Sequence, residues 1–193
     1  EFRRVLFRSL REDVVAAAKD AILDFIGVTL VGSREASSAI VRDAVTASAP
    51  RGSASVFGTR LTASPANAAM ANAYAAHCLD YDDVQPAAAG HMSSAVLAAV
   101  FALAESQHLS GKALIGAYVV GFEIGHRIGA TGSFGHHLRE HGTHPTGFIC
   151  HFSTVAAIAN LLGLTQQQTA RAFGIVAGHA ARSEEHTSEL QSH

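Results

Sequence analysis

The chain has 193 residues, of which 48% are hydrophobic and 16% charged, with a formal net charge of −2. A near-neutral chain with no basic stripe does not suit nucleic acid, and no uninterrupted apolar run of about 18 residues suggests a membrane span. The two cysteines, Cys78 and Cys150, form no CxxC motif and no disulfide framework, which fits a reducing cytoplasm.

The chain opens on EFRRVLFRS, residues 1–9, and residues 182–190 read RSEEHTSEL. The first can be encoded by GAG TTC AGA CGT GTG CTC TTC CGA TCT, whose reverse complement encodes the second. That inverted repeat looks like a sequencing adapter, which Gln191-Ser192-His193 continues. Residues 1–9 and 182–193 are therefore expected to be flanking artefacts, set apart from fold reasoning, with the native insert at 10–181. Four Lys/Arg and four Asp/Glu leave with the flanks, so the net charge is unchanged.

Residues 11–31 predict a helix, with apolar positions at Val15, Ala18, Ile22, Ile26 and Leu30 near the 3.6 period. Glu12 and Asp13 suit its first turn. A second helix is predicted over 36–48, stopped by Pro50 and Gly52. SASVFGT, 53–59, reads as a short extended piece or loop. Ser64-Pro65 reads as N-cap and first helical position of a helix over 65–79. A loop over 84–92 follows, then helices over 93–107, 110–130 and 148–162 and a short one over 165–178. Ser110 and Thr165 are candidate caps. Almost nothing alternates with period 2, so the fold class is all-α, and the abundant Ala and Gly predict closely packed helices.

Two stretches gather ionisable groups. HCLDYDDVQPAAAGHMSSAV, 77–96, holds Asp80, Asp82 and Asp83 between His77 and His91. If the helix persists, Asp80 and Asp83 share a face and His77 lies one turn before Asp80. A carboxylate beside a histidine fixes its tautomer and raises its pKa, preparing it for proton transfer. The alternative is that Asp82 and Asp83 are solvated and Asp80 makes a structural hydrogen bond. FGHHLREHGTHPTGFICH, 134–151, holds His136, His137, His141, His144 and His151, among Gly135, Gly142, Pro145 and Gly147, which read as loop. His137 and His141 could pair on one helical turn as metal ligands, but no HExxH occurs. The alternative is that most of these histidines are exposed, with one or two facing a cleft.

Taken in order, AILDFIGVTLVGSRE, AAHCLDYDDV, GHMSS, GYVVGFEIGHRIG and GTHPTGFICHFSTVAAIANLLGLTQQQTARAFGIVAG resemble the MmgE/PrpD family, over nearly the whole insert. AAHCLDYDDV is similar to its AxHxLDxDDT signature, GHMSS to a GHPS-like element and GTHPT to GWHPT. The resemblance implies the N-terminal part of a large all-helical domain, with the family's smaller α/β lid absent and the chain stopping before its TKxxHxG segment. It implies a homodimer and a lyase acting on small di- or tricarboxylates, and the cysteine usage places it in the cytoplasm. The first expectation is a hydro-lyase similar to 2-methylcitrate dehydratase of propionate metabolism. Decarboxylation or epimerisation is the family alternative.

Residue by residue, the resemblance makes Asp80, His91 and His144 the catalytic candidates. His77, Asp83 and Thr146 in the same motifs are candidates for binding substrate. Two departures bear on the substrate: Val84 stands where the family usually has Thr, and Met92 where it has Pro. No cofactor and no metal are implied: there is no Gly-rich phosphate loop, and two distant cysteines could not hold an iron–sulfur cluster unaided. A cationic clamp for a tricarboxylate is expected beyond Ala181, so the fragment alone is expected to be inactive. Two rival functions differ in class: a metal-dependent hydrolase or lyase built on the 136–151 histidines, and a non-catalytic helical module in which Asp and His residues cap helices.

Overall fold

The structure, a computed structural model, describes residues 7–48 and 52–190; Pro50, residues 1–6 and Gln191-Ser192-His193 lie outside this range, as do the side chains of 181–190. Its elements are α1 (Glu12–Gly32), α2 (Ala36–Ser48), β1 (Ala54–Ser55), β2 (Thr62–Ala63), α3 (Pro65–His77), α4 (Met92–Ser106), α5 (Gly111–Ala130), α6 (Phe134–Glu140), α7 (Pro145–Leu162) and α8 (Gln166–Leu190), with 3-10 turns at Phe7–Ser9 and Thr131–Ser133. The all-α class holds. Among the described residues the one sheet is an antiparallel ribbon of two residues per strand, pairing Ala54 with Ala63 and Ser55 with Thr62.

Three of the predicted starts rest on the expected caps. The Ser64 hydroxyl accepts the Asn67 N–H ahead of Pro65, and Ser110 accepts the Ala113 N–H. Thr165 and Gln168 cap α8 reciprocally: the Thr165 hydroxyl accepts the Gln168 N–H, and the Gln168 side chain accepts that of Thr165 at 2.8 Å. Other boundaries differ. α1 turns Phe25, 1% exposed, rather than Leu30, 44% exposed, into the core. Gly32 brings α1 so close to α3 that a Cβ there would lie 1.9 Å from the Ala75 carbonyl oxygen. α8 continues through 182–190. Phe7 packs against the core although it lies in the expected flank.

α4 is the central helix, with Met92, Val96, Leu97 and Val100 fully enclosed. Around it lie Phe25 of α1, Ala76 of α3, Leu114 and Tyr118 of α5, and Ala157 and Leu161 of α7. Phe25, Phe57 and Phe101 pack together at centroid distances of 5.6–6.1 Å, Phe25 stacked on Phe101 and Phe57 edge-on to it. α7 is long and apolar enough, by length and composition, to cross a membrane, but its buried face is packed against α4 and α5. Gly121, Gly125 and Gly129 recur every four residues along α5. A Cβ at Gly125 would sit 2.1 Å from Ser153 Oγ, so this stripe lets α5 and α7 meet backbone to side chain. A separate apolar cluster of Ala88, Met92, Leu138, Ile149 and Cys150 lies beneath the segment joining α3 to α4.

Candidate active site

The α3–α4 connection carries the first ionisable stretch. α3 ends at His77, two residues before the predicted end, and Asp80 adopts φ 55°, in the left-handed region. Asp tolerates this region better than most residues. The helical register is thereby broken, so Asp80 and Asp83 do not share a helix face. The connection is clamped from several sides. Gln85 N–H donates to the Gly90 carbonyl, and the Gln85 side chain accepts the Ala88 N–H at 2.7 Å. The His136 ring donates to the Pro86 carbonyl from α6, and Arg139 donates to that of Ala89. Gly135 admits this contact, since a Cβ there would lie 1.9 Å from the Ala88 carbonyl oxygen.

His91 is the residue most firmly set. Its N–H donates to the Thr146 hydroxyl at 3.0 Å and its carbonyl accepts the Cys150 thiol, so α7 fixes its backbone from both ends. Its ring, 13% exposed, lies between two carboxylates: Nε2 is 3.5 Å from Asp80 Oδ1, and Nδ1 is 3.3 Å from Asp82 Oδ1. The second approach lacks hydrogen-bond alignment, which leaves the buried Nδ1 without a bonded partner among the described residues. Asp80 is 79% exposed and Asp82 only 2%.

Asp82, not Asp80, is the partner of His77. His77 Nδ1 lies 2.9 and 3.1 Å from the two Asp82 oxygens. This corrects both the expected His77–Asp80 pairing and the alternative in which Asp82 is solvated. The hydrogen bond to Asp82 raises the His77 pKa against the opposing effect of burial. Burial works against the Asp82 charge, but hydrogen bonds from His77 and Ser94 and the nearby His77 and His91 outweigh it and hold its pKa below the usual carboxylate range. The His77 ring stands 4.7 Å from that of His91 and 6.3 Å from that of His144, near-parallel to the latter. His144 is the N-cap residue of α7. Burial, with His77, His91 and Arg139 nearby, pushes its pKa down, which favours the neutral ring.

The fold thus brings Asp80, His77, His91 and His144 to one place, joined by Asp82, whose role spacing alone misses. Asp83 goes elsewhere. It accepts the Ser93 N–H and, at 2.6 Å, the Ser93 hydroxyl, which in turn accepts from Tyr118 at 2.7 Å. It faces a groove between α1 and α5 with Tyr118 and Phe122, and burial raises its pKa. Thr146 lies beneath His91 and is buried. Of the two departures, Met92 is fully buried in the core and Val84 is 56% exposed. A cavity of about 440 Å³ opens beside His77 and Thr146, walled by Ala73, Ala95, Val155 and Val176.

The 134–151 histidines do not form one cluster among the described residues. His136 holds Pro86, while His141 and His151 each bond the carbonyl four residues earlier. The segment 134–140 is helix rather than the expected loop. The described side chains close enough to share a cation are a different set: His77, Asp80, Asp82 and His91, with ligand atoms within 4.8 Å of one another. His77 and Asp82 already use those atoms on each other.

A family model for the MmgE/PrpD N-terminal domain matches residues 3–192, a span that takes in most of both expected flanks. The cis-aconitate decarboxylase-like protein oryM of Aspergillus oryzae is 35% identical over 175 residues, covering 87% of this chain and 36% of that protein. A cis-aconitate decarboxylase of Aspergillus terreus is 35% identical over 173 residues, 87% of this chain and 35% of that protein. The human cis-aconitate decarboxylase is 29% identical over 181 residues, 89% of this chain and 36% of that protein. The chain therefore spans about a third of the length of the curated relatives it matches.

Proposed function

This chain belongs to the MmgE/PrpD family, and on that premise we propose that its parent protein is a lyase acting on a small di- or tricarboxylate, with His91 as the proton-transfer residue. The observation that carries this reading is the His91 ring, buried to 13% exposure and held between Asp80 and Asp82. A ring fixed this way keeps Nδ1 toward a buried anion and leaves Nε2, on the side of the exposed Asp80, for a substrate.

Both candidate reactions need such a group. In dehydration a base removes the proton α to a carboxylate, and the β-hydroxyl leaves as water after taking a proton. In decarboxylation the C–C bond breaks, its electron pair stays on the carbon skeleton, and an acid delivers a proton to that skeleton as carbon dioxide departs. His91 Nε2 serves as base or acid. His144, kept neutral, donates a hydrogen bond to a substrate carboxylate or to the developing enediolate. Asp80 holds the exposed side of the His91 ring.

The cis-aconitate decarboxylase relatives favour carbon–carbon cleavage over loss of water from a 2-methylcitrate-like substrate. Both substrates should be offered to the full-length parent enzyme, following carbon dioxide release from cis-aconitate and alkene formation from 2-methylcitrate. His91→Ala is expected to abolish whichever activity is found, and full turnover by that variant would remove the assignment.

A further inference from the structure

The feature left over is the buried Nδ1 of His91. It has no hydrogen-bond partner among the described residues, yet a carboxylate oxygen stands 3.3 Å away. That oxygen, Asp82 Oδ1, is held at 2.9 Å by His77 Nδ1. A base working through Nε2 must carry its proton on Nδ1, and once Nε2 takes a second proton the ring is a cation whose Nδ1–H needs an acceptor. A buried donor left unpaired is costly. On the Nδ1 side the acceptor is Asp82, since Asp80 stands on the Nε2 side.

We infer that Asp82 is a positioning residue shared between two histidines: its carboxylate rests on His77 and shifts to the Nδ1–H of His91 when His91 becomes protonated. The inference rests on the proton-transfer role of His91 proposed above. The shift required is small, because both imidazoles already flank one oxygen and their rings lie 4.7 Å apart. A hydrogen bond from Ser94 also favours the Asp82 charge, whichever histidine it faces. The other charged or titratable groups around it are Asp80 and Asp83 on the same connection, with His144 of α7 and Arg139 of α6 next to the histidines. Two histidines on one carboxylate also repel each other when both are charged, so Asp82 serves one of them at a time. At rest the Asp82 carboxylate lies on His77; when His91 Nε2 takes a proton from the substrate, the carboxylate turns to the Nδ1–H of His91.

The test compares two substitutions in the full-length parent enzyme through the acidic limb of the kcat/KM–pH profile. Asp82→Asn removes the anion that stabilises protonated His91, so the limb should move to lower pH by about one unit or more. Because tautomer control is also lost, kcat should fall by roughly a hundredfold or more, with KM nearly unchanged. His77→Phe keeps a ring in place but frees Asp82 for His91, so the limb should move the opposite way, to higher pH. A purely structural role for Asp82 moves neither limb. If Asp82→Asn does not fold, His77→Phe carries the test alone. A limb that stays put or moves in the reverse direction overturns the inference. Full activity in His91→Ala removes the proton-transfer role itself, whereas an inactive His91→Ala with unmoved limbs removes only the role of Asp82.

Discussion

The Thr146 hydroxyl accepts the backbone N–H of His91 at 3.0 Å, across 55 residues of sequence. This single bond ties the first turn of α7 to the start of α4. It makes a residue of the second motif the support of the candidate base in the first.

Thr146→Val leaves that N–H without an acceptor in a buried setting, which should cost about 1–3 kcal/mol. Thr146→Ser should restore most of it. Urea midpoints of the three forms provide the comparison. A valine variant as stable as the parent would mean that the bond does not hold the connection.

The glycine stripe on α5 makes a paired prediction. Gly125→Ala places a Cβ 2.1 Å from Ser153 Oγ and 2.9 Å from Met92 Sδ. Prying α5 from α7 in this way should cost about 1–3 kcal/mol. Gly27→Ala, on the exposed side of α1 with nothing within 4 Å, should instead stabilise by roughly 0.5–1 kcal/mol. Opposite shifts in melting temperature are expected. Equal shifts would remove the close-approach argument.

The His77–Asp82 pair gives a pH window. Asp82 is held below its ordinary 3.8, so its contribution is complete above that value and lost as pH falls through the lower folded value. His77 is held above its ordinary 6.5, so its contribution is complete below 6.5 and lost as pH rises through the higher folded value. Both are present together between about pH 4 and 6.5. The stability difference between wild type and His77→Phe should be largest in that window and shrink towards pH 8. A difference that does not change with pH would contradict the pair.

Much of this was legible in the sequence, for identifiable reasons. Ser64-Pro65, Ser110 and Thr165 announced helix starts because capping is local chemistry, and each caps in the structure. His144-Pro145 carried the same kind of signal, a proline at the first helical position. The surrounding glycines masked it, so α7 begins three residues before the predicted start. α6 has seven residues with buried positions only at Gly135 and Leu138, too few for periodicity to register. Asp82 was missed for a different reason. Spacing assigns faces only while a helix continues, and no glycine or proline marks where α3 stops. The left-handed turn at Asp80 then exchanges which aspartate meets His77. The face expected to be shared by Asp80 and Asp83 rested on the same assumption: Asp83 instead binds Ser93 at the start of α4.

The central claim is that Asp80, His91 and His144 act on one small carboxylate. A crystal structure of the full-length parent enzyme with a slow-reacting tricarboxylate bound tests it most directly. The account predicts the reacting carbon within about 3–3.5 Å of His91 Nε2, with a substrate carboxylate on His144 and Asp80 beside the His91 ring. A ligand seated away from His91, with these three side chains free of contact, would contradict it.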